Sequence, residues 1–390
     1  MYILYICPLV NGGQSMKSPF QYGTLVDKDS FVNRVEDRRQ LKDFLSAGIN
    51  VMLISPRRWG KSSLVKVAMD ELKEENKQVR ICFIDAFSVK TEAEFLQTFA
   101  REVISCASST WEKRLEDVKR FLTGVTPSIT LKENMSETLS LDLKLGFEDK
   151  QTMEILALPE RIAEVKNIHI IVCIDEFQQL ALLPSYQSLE GKMRSVWQTQ
   201  HHVSYCFYGS KRHMMLDIFN KSSNPFYRFG QVLFLQKIAK EEWIPFIIRS
   251  FQKTGKEITE QQADYICETV KCHSWYVQQY SFFVWTATQA VVSDEILKRQ
   301  LQMLIDTNMP MFVSDTENLT ASQVAMLRAV AGRESKFNAT AVASKYGLGN
   351  PQSITRNKRI LVERDFIEKL DDIFVFADPI FEIWFRQKYM

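Results

Sequence analysis

The sequence predicts an α/β protein with a parallel sheet, followed by an all-α segment and a C-terminal winged-helix domain. From about Phe31 to Gln236, short β-branched or aromatic runs alternate with amphipathic segments of helix length, as in a parallel sheet covered by helices. From Lys240 to about Met309 the patterns are helical only. After Pro310, three short helical patterns precede two strand-like runs, which is the order of elements in a winged helix.

Individual elements follow from the same periodicities. The predicted strands of the sheet are Asn50–Ser55, Val79–Asp85, His169–Asp175, Val203–Gly209 and Gln231–Leu235. The predicted helices around it are Lys61–Glu75, Glu92–Ala107, Trp111–Leu122, Thr152–Val165 and Leu189–Thr199. The winged-helix elements are predicted at Ala321–Ala331, Ala339–Tyr346, Gln352–Glu363, Phe366–Leu370 and Ile373–Ala377.

The chain is expected to divide into four segments. Residues 1–15 read as an upstream extension or disordered tail, because the apolar stretch lacks the basic start and cleavage site of a signal peptide and a second methionine follows at Met16. Residues 16–238 form the sheet domain, with a β-hairpin insertion near 128–147 where polar and apolar residues alternate. A helical segment at 239–310 and a winged-helix domain at 311–390 complete the chain.

Composition limits the class of protein. The 390 residues carry 49 basic and 47 acidic side chains, and this net charge of +2 excludes a strongly basic nucleic-acid coat but leaves room for a local basic patch. The seven cysteines are scattered without a C-x-x-C pair, which favours free thiols in a reducing compartment. No run approaches the ~18 apolar residues of a membrane span. We therefore expect a cytoplasmic protein without a membrane partner.

One loop carries a phosphate-binding pattern. Ser55–Ser62 matches G-x-x-x-x-G-K-[ST] at every defined position except the first, where Ser55 replaces glycine. In such a loop, Gly60 allows close backbone approach, Lys61 reaches the β- and γ-phosphates and the Ser62 hydroxyl ligates Mg²⁺. The expected nucleotide contacts are Pro56, Arg57, Arg58, Trp59, Gly60, Lys61, Ser62 and Ser63.

A second motif supplies two carboxylates. The apolar run Ile170–Ile174 ends in Asp175 and Glu176, as expected of a buried strand that delivers acids to the phosphate site. Asp175 would hold Mg²⁺ through water, and Glu176 would orient and polarise the attacking water. The two motifs occur in this order with one extra helix–strand unit between them. Together they predict a site that binds ATP with Mg²⁺ and hydrolyses it to ADP and phosphate.

These motifs resemble those of AAA+/STAND-related P-loop ATPases, specifically the archaeal-type prokaryotic ATPase family. The resemblance extends from about Met16 to the C-terminus and includes the family's G-P-R-R-x-G-K-[ST]-S-L pattern, matched by Pro56–Leu64, and its hhhhDE strand. Phe31 and Arg34 match an N-terminal segment that lies against adenine in relatives, although Glu36 stands one residue early. The resemblance implies a P-loop core, a helical lid and a nucleotide contact from Arg34.

Three further roles are implied by this resemblance. Ser210, at the end of the fourth strand, matches a polar sensor of the γ-phosphate. Arg228, before the fifth strand, matches an arginine finger that often acts in a neighbouring subunit, although a surface arginine that pairs with a helix end fits equally well. In the lid, Trp275 replaces a proline that meets adenine in relatives, and its ring could stack on adenine instead.

The C-terminal module has a modest basic excess. Residues 320–390 contain five Lys and six Arg against eight acidic residues. The third helix of a winged helix enters the DNA groove, so Arg356, Lys358 and Arg359 are the candidate contacts to double-stranded DNA. A protein–protein or intramolecular packing role is the open alternative.

The sequence therefore favours a Mg²⁺-dependent ATPase that acts as a nucleotide-gated conformational switch, with DNA association as one option. The alternative is a nucleotide-regulated DNA-binding or protein-scaffolding module with little or no turnover. A defence-type signalling protein that holds a protein partner, and a homo-oligomer, also stay open at this point.

Overall fold

The computed structural model of the chain describes residues 17–24, 31–32, 34–108, 110–122, 130–133, 139–142 and 149–390. These residues form two compact units. The described parts of Leu25–Ile238, together with His273–Trp275, make up the first unit. The described parts of Met1–Thr24, Ala239–Cys272 and Tyr276–Met390 make up the second.

Strands and helices alternate in the first unit as the sequence predicts. Its strands are β1 Val51–Ile54, β2 Val79–Asp85, β3 Thr130–Glu133, β4 Leu139–Asp142, β5 His169–Asp175, β6 Val203–Gly209 and β7 Gln231–Phe234. Its helices are α1 Val35–Ser46, α2 Lys61–Glu75, α3 Glu92–Ala107, α4 Trp111–Leu122, α5 Asp149–Leu156, α6 Leu158–Lys166, α7 Tyr186–Trp197 and α8 Arg212–Asn220. A short 3-10 helix, Phe177–Leu182, follows β5.

Five of these strands form one parallel sheet in the order β2-β5-β6-β1-β7. Every strand of this sheet therefore ends at the same edge, and β6 separates β1 from β5. The four residues of β1 and the seven of β6 are all buried, as expected of central parallel strands with both faces covered. Strands β3 and β4 pair antiparallel with each other, and the rest of the predicted insertion at 128–147 lies outside the described residues.

Two predicted helices around the sheet differ from the structure: the predicted Leu189–Thr199 helix spans Tyr186–Trp197, and another is divided in two. The sequence predicts a single helix over Thr152–Val165, but the structure has two helices, α5 and α6, with Ala157 as the N-cap of the second. Pro159 lies in the first turn of α6. Proline lacks a backbone N–H and is favoured where that donor would be unpaired, so it begins a new helix here instead of continuing the previous one.

Aromatic side chains form the core behind β5 and β6. The ring centroids of Phe177 and Phe207 are 4.4 Å apart, and those of Trp197 and Tyr205 are 4.3 Å apart. Phe226 and several aliphatic residues pack on the same cluster. Rings of this size remove a large apolar area from water, and this burial fixes the two strands that lead to the carboxyl edge.

The second unit is helical apart from one hairpin. Its helices are α9 Lys240–Gln252, α10 Glu260–Thr269, α11 Ser274–Ala287, α12 Asp294–Glu317, α13 Ala321–Ala331, α14 Thr340–Tyr346, α15 Pro351–Glu363 and α16 Pro379–Tyr389. Its two strands, β8 Ile367–Leu370 and β9 Ile373–Phe376, pair antiparallel. Helices α13 to α15 followed by this hairpin give the winged-helix order, and Phe381 of α16 packs on Phe366 and Phe376.

The segment boundary expected at Pro310 falls inside a helix. Helix α12 runs for 24 residues through this proline, so the backbone has no break there. Proline forfeits one helical hydrogen bond, and the neighbouring turns of a long helix can tolerate that loss. The divisions at 238 and 310 stay predictions as functional boundaries.

Two expectations from composition concern cysteines and membranes. The six described cysteines, Cys82, Cys106, Cys173, Cys206, Cys267 and Cys272, are free thiols. Among the described helices, none has both the length and the apolar content that a membrane crossing requires.

Replacing Phe207 by alanine tests the aromatic core. Phe207 is fully buried and its ring contacts several others in the cluster, so Phe207→Ala should lower the free energy of unfolding by about 3–5 kcal/mol. Urea unfolding followed by circular dichroism measures this change. The control is Phe87→Ala, because Phe87 is 65% exposed and should change stability by less than about 0.5 kcal/mol. Equal losses in the two variants would contradict this description of the core.

Candidate functional site

The candidate site lies at one edge of the sheet, where three strands end. The phosphate loop connects β1 to α2, Asp175 ends β5, and Ser210 follows β6. Because these strands are parallel, the polar residues at their carboxyl ends meet, as they do in other open α/β sheets. The sequence predicts each residue separately, and the strand order brings them together.

The phosphate loop has a left-handed backbone at two positions. Arg58 has φ 64° and Gly60 has φ 87°. A glycine adopts this conformation without strain, whereas a non-glycine residue such as Arg58 stores of order 1–3 kcal/mol. Ser55, at the position where the motif has its first glycine, is buried, and its hydroxyl donates to the carbonyl of Pro56 at 2.9 Å. The loop therefore closes without the missing glycine.

The loop ends at a helix start that suits an anion. Gly60 is the N-cap of α2 and makes no side-chain cap, and the first turn of α2, which is fully described, carries no acidic residue. The N-terminus of a helix bears about half a positive charge, and its first N–H groups point out of the helix. An anion such as a phosphate group would be stabilised at this end.

Lys61 forms the central ion pair of the site. Its Nζ lies 2.6 Å from Oε1 of Glu176 and 3.4 Å from Oδ1 of Asp175. The Lys61 and Glu176 side chains are 12% and 17% exposed, so water screens the pair only weakly. Removing one member of such a pair leaves the other charge buried and typically costs about 3–5 kcal/mol.

The predicted metal ligands lie next to each other. The Ser62 hydroxyl donates to Oδ2 of Asp175 at 2.6 Å, so these two oxygens are close enough to bind the same metal ion. Mg²⁺ prefers hard oxygen ligands and is usually bound by one or two carboxylates together with water and phosphate oxygens. The donor set of Ser62 and Asp175 fits this ion.

Glu176 is held by three side chains. Besides the Lys61 ammonium, Ser210 donates from its hydroxyl to Oε2 of Glu176 at 2.8 Å, and the Gln178 amide donates to the same oxygen. Arg57 in turn donates to the Ser210 hydroxyl at 3.4 Å, which connects the phosphate loop to this network. Glu176 has a left-handed backbone with φ 49°, a conformation that turns its side chain away from the end of β5.

The two carboxylates differ in acidity. Burial raises the pKa of Asp175, although the Lys61 charge and the Ser62 hydrogen bond oppose this effect. Burial also acts to raise the pKa of Glu176, but the Lys61 ammonium and the hydrogen bonds from Gln178 and Ser210 outweigh it and leave that pKa below its usual value. Glu176 is therefore the carboxylate that stays ionised over the wider pH range.

Sequence reasoning missed Gln178. It lies in the 3-10 helix after β5, is fully buried, and its Oε1 has no hydrogen-bond partner among the described residues. Two glutamines, Gln178 and Gln179, interrupt the apolar residues of Phe177–Leu182, and this pair was the available signal. Gly209 makes room for Gln178, because a Cβ added at Gly209 would lie 1.8 Å from Oε1 of Gln178.

Arg34 stabilises the phosphate loop through hydrogen bonds to its backbone. Its guanidinium donates to the carbonyls of Trp59 at 3.1 Å and Gln236 at 2.9 Å, and it pairs with Asp37 at 3.0 Å. Burial lowers the pKa of Arg34, and Asp37 offsets part of that effect. The Arg34 side chain is therefore bonded to the backbone of the loop and to the backbone just after β7. Its contact with adenine stays a prediction.

Trp275 lies near the phosphate loop. The guanidinium carbon of Arg58 is 5.0 Å from the centre of the Trp275 ring, within the range of a cation–π contact. The adjacent His273 is buried, and burial together with the charges of Lys237 and Arg58 lowers its pKa to about 3. His273 is therefore neutral at physiological pH, and the adenine contact of Trp275 stays a prediction.

Arg228 is not brought to this site within its own chain. It precedes β7, while the phosphate loop follows the neighbouring parallel strand β1, so the two lie at opposite ends of the sheet. The Arg228 side chain is exposed, and its guanidinium lies 5.2 Å from the centre of the Tyr227 ring.

The basic residues of α15 divide into two groups. Arg356 and Arg359 are exposed and lie one helical turn apart on the same face. Lys358 is half-buried, with its Nζ 5.5 Å from the centre of the Phe374 ring. Asn357, on the same helix, is buried.

Exchanging Gly209 for alanine tests the packing behind Glu176. The new Cβ must displace Gln178, so Gly209→Ala should lower the free energy of unfolding by about 1–3 kcal/mol. Gly191→Ala is the control, since a Cβ there meets nothing within 4 Å and an alanine in helix α7 should stabilise by about 0.5–1 kcal/mol. Denaturant unfolding of both variants gives the comparison. A Gly209→Ala variant as stable as the unaltered chain would refute the close contact.

Comparisons with known proteins agree with this fold. A family model for a "Probable winged helix domain" matches residues 310–387. No curated protein matches the chain by sequence. Among solved structures, the Walker-type ATPase PABY2304 of Pyrococcus abyssi is similar with a TM-score of 0.66 and 18% identity, over 92% of this chain and 97% of that one.

The ORC2 protein of Aeropyrum pernix is also similar in structure. Its ADPNP–ADP complexes give a TM-score of 0.57 at 13% identity, over 95% of this chain and 99% of that one. Its ADP form gives 0.52 at 14% identity, over 92% and 95%. At such identities the similarity concerns the fold. The chain therefore shares the fold of these proteins, with a five-stranded parallel sheet and a C-terminal winged helix, as the sequence predicted.

Proposed function

We propose that this protein is a Mg²⁺-dependent ATPase in which ATP binding and hydrolysis switch the conformation of the chain. The observation that carries this proposal is the network at the carboxyl edge of the sheet, where Lys61 contacts both Asp175 and Glu176, Ser62 contacts Asp175, and Ser210 contacts Glu176. These are the residue types that phosphoryl transfer to water requires, at hydrogen-bond distances.

Phosphate binding would act first on Lys61. Its ammonium is paired with Glu176 at 2.6 Å, and the γ-phosphate of ATP competes for the same charge. When Lys61 turns to the phosphates, Glu176 loses its strongest partner and becomes available to a water molecule. Binding of ATP to the phosphate loop would thus release Glu176 from Lys61, so that Glu176 can act as a base only when ATP is bound.

The remaining contacts of Glu176 position it for its role. Ser210 and Gln178 both donate to Oε2, which leaves Oε1 to accept a proton from the attacking water once Lys61 has moved. Before Lys61 moves, its ammonium and the hydrogen bonds from Gln178 and Ser210 hold the pKa of Glu176 below its usual value, and the two hydrogen bonds remain once Lys61 has moved. Ser62 and Asp175 would hold Mg²⁺, which neutralises developing charge on the phosphate oxygens when it is bound.

Two residues extend the proposal to a neighbouring molecule and to the base of the nucleotide. Arg228 is exposed and lies at the far end of the sheet from its own phosphate loop, so as an arginine finger it would complete the site of a second copy. Trp275, beside Arg58, would stack on adenine. The ADPNP–ADP and ADP complexes of the Aeropyrum ORC2 protein support ATP as the substrate.

Turnover by a variant without the base is the direct test. Glu176→Gln should lower ATP hydrolysis by about 10²-fold or more, because an amide cannot accept the proton of the attacking water. Phosphate release from purified protein in the presence of Mg²⁺ measures the rate. The matched control is Glu164→Gln, which removes one exposed carboxylate from α6 and should leave the rate unchanged.

Two outcomes would contradict this function. Hydrolysis by the unaltered chain no faster than by Glu176→Gln would mean that the site binds nucleotide with little or no turnover. A loss of turnover in Glu164→Gln equal to that in Glu176→Gln would mean that the site is elsewhere. Binding of a fluorescent ATP analogue to both variants separates a lost base from a lost binding site.

A second candidate function is association with double-stranded DNA. The exposed pair Arg356 and Arg359 favours it, because both face solvent from the helix that enters the groove in winged-helix proteins. Their charges suit phosphate contacts, which position a protein on DNA without reading its sequence. A protein partner on the same face is the alternative.

Salt dependence tests this second function. Binding of a random-sequence duplex should weaken in the double variant Arg356→Ala/Arg359→Ala, and the slope of log affinity against log salt should fall in magnitude by about two. The control is Lys298→Ala/Arg299→Ala, which removes the same charge from exposed positions on α12. An identical slope in both double variants, or absence of binding at ~50 mM salt, would exclude this role for α15.

A further inference from the structure

A cavity of about 880 Å³ lies at the opposite end of α2 from the phosphate loop. Lys73 lines it from the last turn of α2, Lys77 from the turn that follows, Arg80 from the start of β2, and Lys166 from the end of α6. Helix α4 closes another side. Because α2 has 15 residues, its two ends are about 20 Å apart, which separates this cavity from the nucleotide site.

The lining of the cavity is strongly basic. Six cationic side chains line it, five from four elements and one from the turn after α2, against two acidic ones, a surplus of four positive charges in a chain whose net charge is +2. The cations are Lys73, Lys77, Arg80, Lys113, Arg120 and Lys166, and the acids are Glu116 and Asp117.

Part of this charge has a structural role. Lys166 pairs with the buried Asp117 and donates to the carbonyl of Ala107 at 3.0 Å. Arg80 donates to the carbonyls of Lys77 at 2.7 Å and Val79 at 3.0 Å. These contacts fix the walls of the cavity.

In the described part of the chain, the other four cations of the cavity have no such structural contacts with charged partners. Lys73, Lys77, Lys113 and Arg120 are exposed, and none forms an ion pair with another described residue. Helices α2, α3 and α6 all end at the cavity, and each helix end contributes about half a negative charge. The three ends together offset about 1.5 of the four surplus charges, so the cavity stays positive after its own helix dipoles are neutralised.

We propose that this cavity is a second anion site, which binds a compact ligand with two or more phosphate groups. Its volume lies within the ~300–1,000 Å³ range of small-ligand sites. Cations on α2, β2 and α4 surround the space from several sides, which suits several phosphates better than one. Among the described lining residues there is no aromatic ring to stack on a base, so recognition rests on the phosphates.

Calorimetric titration with tripolyphosphate tests this site. The phosphate loop also binds such a ligand, so the titration uses a chain with Lys61→Gln, which removes the lysine of that loop. One binding event should persist there, and the added pair Lys77→Glu/Lys113→Glu should raise its Kd by about tenfold or more for each lysine. In the chain with Lys61 intact, the same pair should remove one of two binding events.

The matched control reverses the charge of two exposed lysines outside the cavity, Lys150→Glu and Lys253→Glu, and changes the net charge by the same amount. Equal weakening in this control, or no binding event in the Lys61→Gln chain, would overturn the proposal. Thermal unfolding of each variant confirms that the fold persists. ATP hydrolysis is measured separately on Glu176→Gln, so the failure of either proposal leaves the other intact.

Competition identifies the source of the phosphates. In the Lys61→Gln chain, equal displacement of labelled tripolyphosphate by unlabelled tripolyphosphate and by ATP supports recognition of the phosphate tail alone. Tighter binding of ATP would contradict recognition through phosphate only. A single-stranded oligonucleotide that displaces tripolyphosphate at lower concentration than either would overturn the small-ligand proposal in favour of nucleic acid.

Discussion

The parallel pairing of β5, β6 and β1 is the constraint on which the candidate site depends. Leu53 pairs with Tyr208 and Ile174 pairs with Phe207, so the three strands end in register. A slip of one residue would turn the side chains at these ends to the opposite face of the sheet. The buried aromatic cluster behind β5 and β6 opposes such a slip, because it would have to expose large rings.

Within this frame, both carboxylates of the site have partners. Lys61 forms ion pairs with Glu176 and Asp175, and Ser62, Ser210 and Gln178 donate hydrogen bonds to the remaining carboxylate oxygens. Such a network is stable only while every buried charge has a partner. A phosphate ligand would replace one partner of Lys61 and rearrange the others, which is how we propose that a small ligand changes the state of this network. The basic cavity at the far end of α2 has exposed cations that need no such exchange.

The sequence predicted the elements of the sheet closely, because strand and helix periodicities are local. β2, β5 and β6 have the predicted bounds, and so do α2, α3 and α4. It also proposed Lys61, Ser62, Asp175 and Glu176 as site residues, since phosphate chemistry restricts the residue types that can perform it, and the structure brings these four together. It failed where distant residues decide the outcome. Gln178 contacts Glu176 in space that Gly209 leaves open, and the position of Pro310 inside α12 reflects packing that no local pattern shows.

The sequence by itself thus determined the fold class, the phosphate loop and the two acids that follow a buried strand. The tertiary structure decided which of these residues meet. It placed Lys61 between the carboxylates, turned Arg34 into a brace for the loop, and left Arg228 at the opposite end of the sheet. The reason is physical: periodicity and residue chemistry are properties of short segments, whereas distances between side chains follow from strand order, which only the folded sheet defines.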